Sequence, residues 1–129
     1  HNMTKEYDLH TIAKNTLRPR KLARNGKAGY VASALLTLDD NVYTGVAIDV
    51  ACSIGFCAEH SAIAAMVTAG ETRIKEIIAV HRDGRILPPC GRCREFIVQI
   101  HNKNYDCDVH LPGDRIVPLS ELLPERWDA

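Results

Sequence analysis

The chain has 129 residues, of which 46% are hydrophobic and 25% are charged, which is typical of a globular protein. This length suits one compact core, and we predict a single domain over residues 3–129. Sixteen Lys and Arg residues balance sixteen Asp and Glu residues, so the formal net charge is zero. This balance argues against a protein whose main function is to bind a nucleic acid polymer, because such domains carry a clear basic excess.

The sequence shows no signal for a membrane or for secretion. No stretch approaches the ~20 apolar residues needed to span a bilayer. The first ten residues lack the apolar core of a signal peptide, and His1 and Asn2, which precede Met3, are interpreted as a cloning remnant. We therefore expect a cytoplasmic protein without a membrane partner.

Helical and extended patterns alternate along the chain. Apolar residues spaced as i, i+3, i+4 and i+8 predict an amphipathic helix near the N-terminus, which Pro19 ends. These residues are Leu9, Ile12, Ala13 and Leu17. The later predicted elements are strands over 30–38 and 42–48, a helix over 57–69, a strand over 74–81, a helix over 91–100, a strand over 107–111, a short strand at 116–117 and a short helix at 120–123. This order predicts a layered α/β domain with helices on both faces of a mixed sheet.

The cysteines point to metal or catalytic use. There are five, and an odd count without a secretory signal argues against a disulfide framework. Cys90 and Cys93 form a C-x-x-C pair at the start of a predicted helix. By itself this pair is compatible with a zinc site, with a thioredoxin-like redox pair, or with two small buried hydrophobic residues.

Cys57 favours the zinc site, because it begins another predicted helix. The partial positive charge at helix N-termini is expected to lower thiol pKa values and favour thiolates. A catalytic zinc keeps its fourth position free, whereas a structural zinc has a fourth protein ligand. Cys52 remains open as that ligand, whereas His60 is expected to point away because neighbouring helix positions diverge by about 100°.

Glu59 lies two residues after Cys57. One interpretation is a solvated glutamate that stabilises the helix dipole in the first turn. The other is a general base that takes a proton from the attacking water and later delivers it to the leaving nitrogen. Its place beside a metal ligand favours the second interpretation.

Two segments resemble the motifs of a known family. The C-A-E run at 57–59 and the P-C-G-R-C-R run at 89–94 resemble the C-A-E and P-C-G-x-C-R motifs of the cytidine deaminases. The resemblance extends from about Tyr30 to Trp127. The runs Y-V-A-S-A at 30–34 and E-L-L-P at 121–124 look closest to the blasticidin-S deaminase branch.

The resemblance implies a fold, a reaction and an assembly. The fold is a three-layer α/β/α sandwich with a mixed sheet of about five strands, and the assembly is a homotetramer. Cys57, Cys90 and Cys93 would hold Zn²⁺, and Glu59 would move the protons. Water would attack C4 of the cytosine ring of a small nucleoside, cytidine or deoxycytidine, and ammonia would leave.

Several residues are expected at the substrate. Ala58 and Pro89 belong to the matched motifs, and Pro89 with its neighbours is expected to shape the pocket near the leaving group. Phe56 adjoins a metal ligand and is therefore the favoured aromatic residue for stacking on a pyrimidine. The other aromatic residues considered for this role are Tyr30 and Trp127.

The sugar-binding part of the family pattern is altered. Nucleoside-specific members have a G-x-N-x-E stretch, and residues 45–49 read G-V-A-I-D in its place. Ala47 cannot hydrogen-bond, and Asp49 is one methylene shorter than Glu, so it is either a partner for a hydroxyl or an exposed strand-end residue. A site that lacks such a hydrogen bond discriminates less against other ligands. A bulkier cytosine compound such as blasticidin S is therefore an alternative substrate.

Arg92 and Arg94 flank Cys93. Their guanidinium groups are predicted to offset the negative charge of three thiolates around Zn²⁺ through charge-assisted hydrogen bonds. An ordinary exposed helix arginine is the alternative for at least one of them. His60 is likewise either a donor to a thiolate or a helix-surface residue.

Two other functional classes fit the sequence less well. A zinc-stabilised, non-catalytic domain would not need Glu59 and would be expected to show an obvious fourth ligand. A deaminase of polynucleotide cytosines would be expected to carry a basic surface stretch with aromatic residues, which the sequence does not show.

Overall fold

The computed structural model describes residues 6–129, so the first residues of the predicted domain and helix, 3–5, lie outside the described residues. The elements in chain order are α1 (Leu9–Thr16), β1 (Arg20–Lys21), β2 (Lys27–Thr37), β3 (Val42–Asp49), α2 (Ala58–Thr68), β4 (Ile74–His81), α3 (Gly91–Ile100), β5 (Asp108–Leu111), β6 (Arg115–Pro118) and α4 (Leu119–Leu122). Short 3-10 helices lie at Ala51–Ser53 and Asn102–Asp106. Within residues 6–129, no helix combines the length and apolar character that crossing a membrane requires.

The strands form one mixed sheet around β2. Strand β3 pairs antiparallel with β2 along one edge, and β4 pairs antiparallel along the other. Strand β5 is parallel to β4, to which α3 connects it, and β6 is antiparallel to β5. The predicted parallel pairing is therefore present at β4 and β5.

The described sheet has six strands rather than about five. The additional strand is β1, whose two residues pair with Lys27 and Ala28 at the beginning of β2. Two residues are too few to show an alternating pattern, which is why the sequence did not indicate this strand. Strand β2 also begins at Lys27, three residues before the predicted start.

Successive residues of a strand point to opposite faces of the sheet, and this alternation creates two cores. Leu35 and Ile77 belong to the core under α2 and α3. Ala34, Leu36 and Ile78 belong to the core under α1. Helices thus cover both faces, and the predicted α/β/α layering is confirmed.

Helix α2 packs unusually close to β3 at Gly45. A methyl group added at Gly45 would lie 2.3 Å from Cβ of Ser61 and 2.4 Å from the backbone nitrogen of Ala62, so no larger residue fits there without movement. The Ser61 hydroxyl donates a hydrogen bond of 2.7 Å to the Val46 carbonyl at the same contact. Because Glu59 lies in the first turn of α2, this contact also fixes its position relative to the sheet.

Asn104 is a fully buried polar residue that joins three segments. Its side-chain oxygen accepts from the backbone N–H of Ile74 at 2.8 Å. Its side-chain nitrogen donates to the carbonyls of Thr72 at 2.9 Å and Ile97 at 3.2 Å. Every buried polar atom of the side chain is therefore paired, as burial requires.

Asn104→Ala is expected to lower the free energy of unfolding by about 3 kcal/mol, because it leaves buried backbone groups without partners. Urea denaturation followed by circular dichroism measures the change. Asn15→Ala is the matched control, since Asn15 is exposed on α1, and it should change stability by less than about 0.5 kcal/mol. Equal effects of the two substitutions would contradict the structural role given to Asn104.

Candidate metal centre and pocket

The N-termini of α2 and α3 carry the three cysteines of the matched motifs. Cys57 is the residue that caps α2, and Cys90 is the residue that caps α3. The Cys57 side chain makes no capping hydrogen bond with its helix, although small polar side chains at this position usually do. Cys93 follows in the first turn of α3. The thiols are therefore directed to a shared point between the two helices.

The three sulfur atoms are spaced for a tetrahedral ion. Sγ of Cys90 lies 3.7 Å from Sγ of Cys57 and 3.6 Å from Sγ of Cys93. Zinc–sulfur bonds of about 2.3 Å in a tetrahedron place sulfur ligands about 3.8 Å apart, so the residues fit Zn²⁺. Among the described residues this is the one group of three or more potential ligands whose atoms all lie within 4.8 Å of one another.

No fourth protein ligand belongs to this group within residues 6–129. Cys52, which the sequence left open as a ligand, is exposed in the 3-10 helix that precedes α2 and is not a member. Three protein ligands leave one coordination position available for water or substrate, which is the arrangement of catalytic zinc sites.

A lowered thiol pKa, expected for all three cysteines, is found for one of them and not for the other two. Burial raises the pKa of Cys57 and raises that of Cys93 strongly. Burial also acts to raise the pKa of Cys90, but hydrogen bonds from the Cys93 backbone and from the neighbouring thiols lower it overall. The helix N-termini alone do not ionise the cluster, and a bound cation is needed to favour three thiolates.

Glu59 lies beside this cluster and is 5% exposed. Burial raises the pKa of its carboxyl group, and hydrogen bonds from its own backbone and from Cys93 offset part of the increase. The interpretation as a solvated glutamate at a helix end is therefore wrong. A buried carboxyl whose pKa is raised is suited to accept and return a proton.

A pocket of about 440 Å³ opens over the cysteines and Glu59. Its volume falls within the range of about 300–1,000 Å³ that is usual for small-molecule sites. Of the residues predicted at the substrate, Asp49, Phe56 and Ala58 line it. Tyr30 and Trp127 are not among the lining residues. Pro88, a neighbour of Pro89, lines it as expected, and the lining residues not anticipated from the sequence are Val31, Ile48, Val50, Ser53, Gly55, Ala79 and Leu87.

Pro89, which was also predicted at the substrate, does not line this pocket. It lines a second, much smaller cavity of about 10 Å³, which Glu59 and Leu87 also border. That volume holds about one water molecule. Pro88, its neighbour, lines the main pocket.

The predicted role of the two arginines is not what the structure shows. Nε of Arg94 donates to the Pro89 carbonyl at 2.8 Å, and one of its terminal nitrogens donates to the Leu122 carbonyl at 2.9 Å. Arg92 is exposed, lines the pocket, and has one long hydrogen bond of 3.5 Å to the Gly55 carbonyl. Backbone carbonyls are stronger acceptors than sulfur, and they hold the guanidinium groups away from the thiols.

His60 is the side chain that contacts a sulfur. Its Nδ1 lies 3.5 Å from Sγ of Cys93, and its ring stacks on Phe96 with centroids 4.2 Å apart. His60 and Phe96 each follow a cysteine of the cluster by three residues, which places them one helical turn away on the same face. The expectation that His60 points away from the cluster is therefore wrong, because a separation of three residues from Cys57 brings it to the same face, and the role of Phe96 was missed.

Comparisons with known proteins agree with this geometry. Residues 3–107 match the family model described as the cytidine and deoxycytidylate deaminase zinc-binding region. A cytidine deaminase of Mycobacterium tuberculosis is 33% identical over 98 residues, which cover 75% of this chain and 71% of the relative. A cytidine deaminase of Halalkalibacterium halodurans is 33% identical over 103 residues, covering 77% of each chain.

Solved structures with the same fold include two cytidine deaminases. The crystal structure from Mycobacterium tuberculosis has a TM-score of 0.78 at 26% identity and covers 95% of this chain and 98% of its own. The structure from Burkholderia pseudomallei has a TM-score of 0.74 at 26% identity and covers 92% of this chain and 96% of its own. The chain therefore belongs to the cytidine and deoxycytidylate deaminase family. It is an aminohydrolase of the cytidine deaminase type, and its three-cysteine cluster is a group of residues that could hold the zinc ion.

Cys93→Ser is expected to lower the zinc content from about one ion per chain to below about 0.2, because the remaining two thiols give too few ligands. Inductively coupled plasma mass spectrometry on the purified protein measures the content. Cys52→Ser is the matched control, since Cys52 is exposed outside the cluster. Loss of zinc from the control, or its retention in Cys93→Ser, would contradict the ligand assignment.

Proposed function

We propose that this protein hydrolyses the amino group from the cytosine ring of a nucleoside, cytidine or deoxycytidine, to give the uracil form and ammonia. One observation carries the proposal: two cysteines of the cluster, Cys57 and Cys90, and the buried carboxyl of Glu59 border the same pocket. Three protein ligands with no fourth, together with an adjacent acid–base group, are the parts that a hydrolytic deaminase needs. Zinc, when bound, supplies Lewis-acid activation of the attacking water.

Glu59 performs the proton transfers in this scheme. It accepts a proton from the water that attacks C4 of the ring, and it delivers a proton to the amino nitrogen, which leaves as ammonia. Its burial supports both steps, because a raised pKa lets the carboxyl retain a proton between accepting and returning it. One water is consumed and one ammonia is released, so the reaction needs no other co-reactant.

The pocket lining supports binding of a flat ring that carries a polar substituent. The ring of Phe56 is 37% exposed and borders the pocket, so it can stack on the pyrimidine. Ala58 is fully buried and leaves space above the metal site. Asp49 is exposed at the end of β3, where its carboxylate can accept a hydrogen bond from a sugar hydroxyl.

Glu59→Gln is expected to lower kcat for cytidine by about 1,000-fold while zinc remains bound, because the amide cannot exchange a proton at this position. Ammonia release and zinc content are measured on the same preparation. Glu125→Gln, an exposed glutamate outside the pocket, serves as the control and should keep full activity. Full activity in Glu59→Gln would show that another group moves the protons.

Ala47 supports a second candidate within the same reaction. It is almost fully buried in the pocket lining and cannot hold a ribose hydroxyl, so a bulkier cytosine compound such as blasticidin S remains a candidate substrate. Values of kcat/KM for cytidine, deoxycytidine and blasticidin S decide between the candidates. Bound zinc with no turnover of any of the three would support a non-catalytic, zinc-stabilised domain instead.

A homotetramer is the assembly that the family resemblance predicts. Two apolar side chains beside the pocket, Ile54 at 74% exposure and Phe56, are surfaces that an assembly could cover. We expect sedimentation equilibrium to give four times the mass of one chain, which is 14.3 kDa. A monomer at micromolar concentration would contradict the expectation.

A further inference from the structure

Cys93 is the most enclosed of the three cysteines in the cluster. It is 0% exposed, whereas Cys90 is exposed and Cys57 is half-buried. The Cys90 sulfur accepts hydrogen bonds from the backbone N–H groups of Arg92 and Cys93. The charges that act on the Cys93 sulfur come from Glu59 and the two other cysteines, and all of these groups are negative when ionised. Because burial keeps water from the Cys93 sulfur, its charge in a metal complex has to be offset by a donor from the protein.

His60 is placed to supply that donor. Its Nδ1 lies 3.5 Å from Sγ of Cys93. A free thiol can donate to a ring nitrogen, but a thiolate on a metal has no hydrogen, so the hydrogen bond then runs from Nδ1–H to sulfur. The other side chains that hydrogen-bond with Cys93 are the thiols of Cys57 and Cys90 and the carboxyl of Glu59, which have no hydrogen to donate once ionised.

The geometry makes His60 a donor and not a fourth ligand. The three cysteines have ligand atoms within 4.8 Å of one another, and His60 is not a member of this group. The four ligand atoms of a tetrahedral zinc site lie about 4 Å or less apart, so the ring nitrogen is too far from part of the cluster to bind the same ion. His60 therefore acts on the metal centre through Cys93.

Phe96 fixes the plane of the His60 ring. The two rings are stacked, with centroids 4.2 Å apart and an interplanar angle of 5°. An imidazole can rotate about its bond to Cβ, and this rotation decides which ring atom faces the sulfur. The stack on Phe96 restricts the rotation and keeps Nδ1 directed at Cys93.

We infer that His60 is a positioning residue of the metal centre, which donates from Nδ1–H to the Cys93 sulfur in the plane that Phe96 fixes. A hydrogen bond to a thiolate stabilises its charged form and reduces the electron density that it gives to a metal. The ion is therefore held more tightly and keeps more of its Lewis-acid character. For its effect on turnover, this inference rests on the proposed function.

Two substitutions separate the hydrogen bond from the ring packing. His60→Phe keeps an aromatic ring for Phe96 and removes the donor, whereas His60→Asn keeps an N–H donor near the position of Nδ1 and removes the stack. We expect His60→Phe to weaken zinc binding about 10- to 100-fold and His60→Asn to remain within about threefold of the unmodified protein. Competition with a chromophoric chelator measures the affinity.

Cobalt in place of zinc gives a second readout, which does not depend on turnover. The sulfur-to-cobalt charge-transfer bands are expected to move to lower energy in His60→Phe, because a thiolate without a hydrogen bond gives up its electrons more readily, and to stay in place in His60→Asn. His10→Phe is the matched control, since His10 lies on α1 and bonds the Gly84 carbonyl. It should leave both the zinc affinity and the bands unchanged.

Unchanged zinc affinity and unchanged bands in His60→Phe would overturn the inference. Equal losses in His60→Phe and His60→Asn would also overturn it, because the shape of the side chain and not the donor would then matter. If His60→Phe folds poorly by circular dichroism, His60→Leu gives the same comparison with a smaller side chain that lacks a donor. A zinc-loaded protein that deaminates no cytosine compound would refute the proposed function, and the zinc and cobalt measurements would still decide the role of His60.

Discussion

The meeting of two helix N-termini is the constraint on which the site depends. Cys57 and Cys90 each occupy a capping position, and their sulfur atoms are 3.7 Å apart. Burial raises the pKa values of Cys57 and Cys93, so a bound cation is what would favour three thiolates at this place. The close packing of α2 on β3 at Gly45, and the crossover through α3 between β4 and β5, keep these two helix ends together.

The chemistry of the site was more predictable from the sequence than its surroundings. The candidate ligands and the acid–base residue lie within two short motifs, one at the start of α2 and one at the start of α3, and the family resemblance related the two motifs to one site. The metal cluster and Glu59 were predictable for this reason. Arg92 and Arg94 show the limit, because two of their carbonyl partners, Gly55 and Leu122, lie far away along the chain, and local spacing carries no information about them.

The fold was predictable where an element is long enough to display a period. Strands β2, β3 and β4 are long enough to be recognised as extended segments, and their order with α2 and α3 indicated a mixed sheet with two covered faces. Strand β1 has two residues and becomes a strand only because it pairs with β2. The pocket lining also depends on tertiary structure, because Val31 in β2 and Leu87 in a loop line one cavity although they lie far apart in the sequence.

The two hydrogen bonds of Arg94 have a consequence for how the site is assembled. One arginine ties the carbonyl just before Cys90 to the carbonyl of Leu122 at the end of α4. The loop that leads to Cys90 is therefore held partly by α4, which is synthesised after it. During synthesis, the full set of hydrogen bonds that holds this loop is therefore available only after the residues of α4 have been added to the chain.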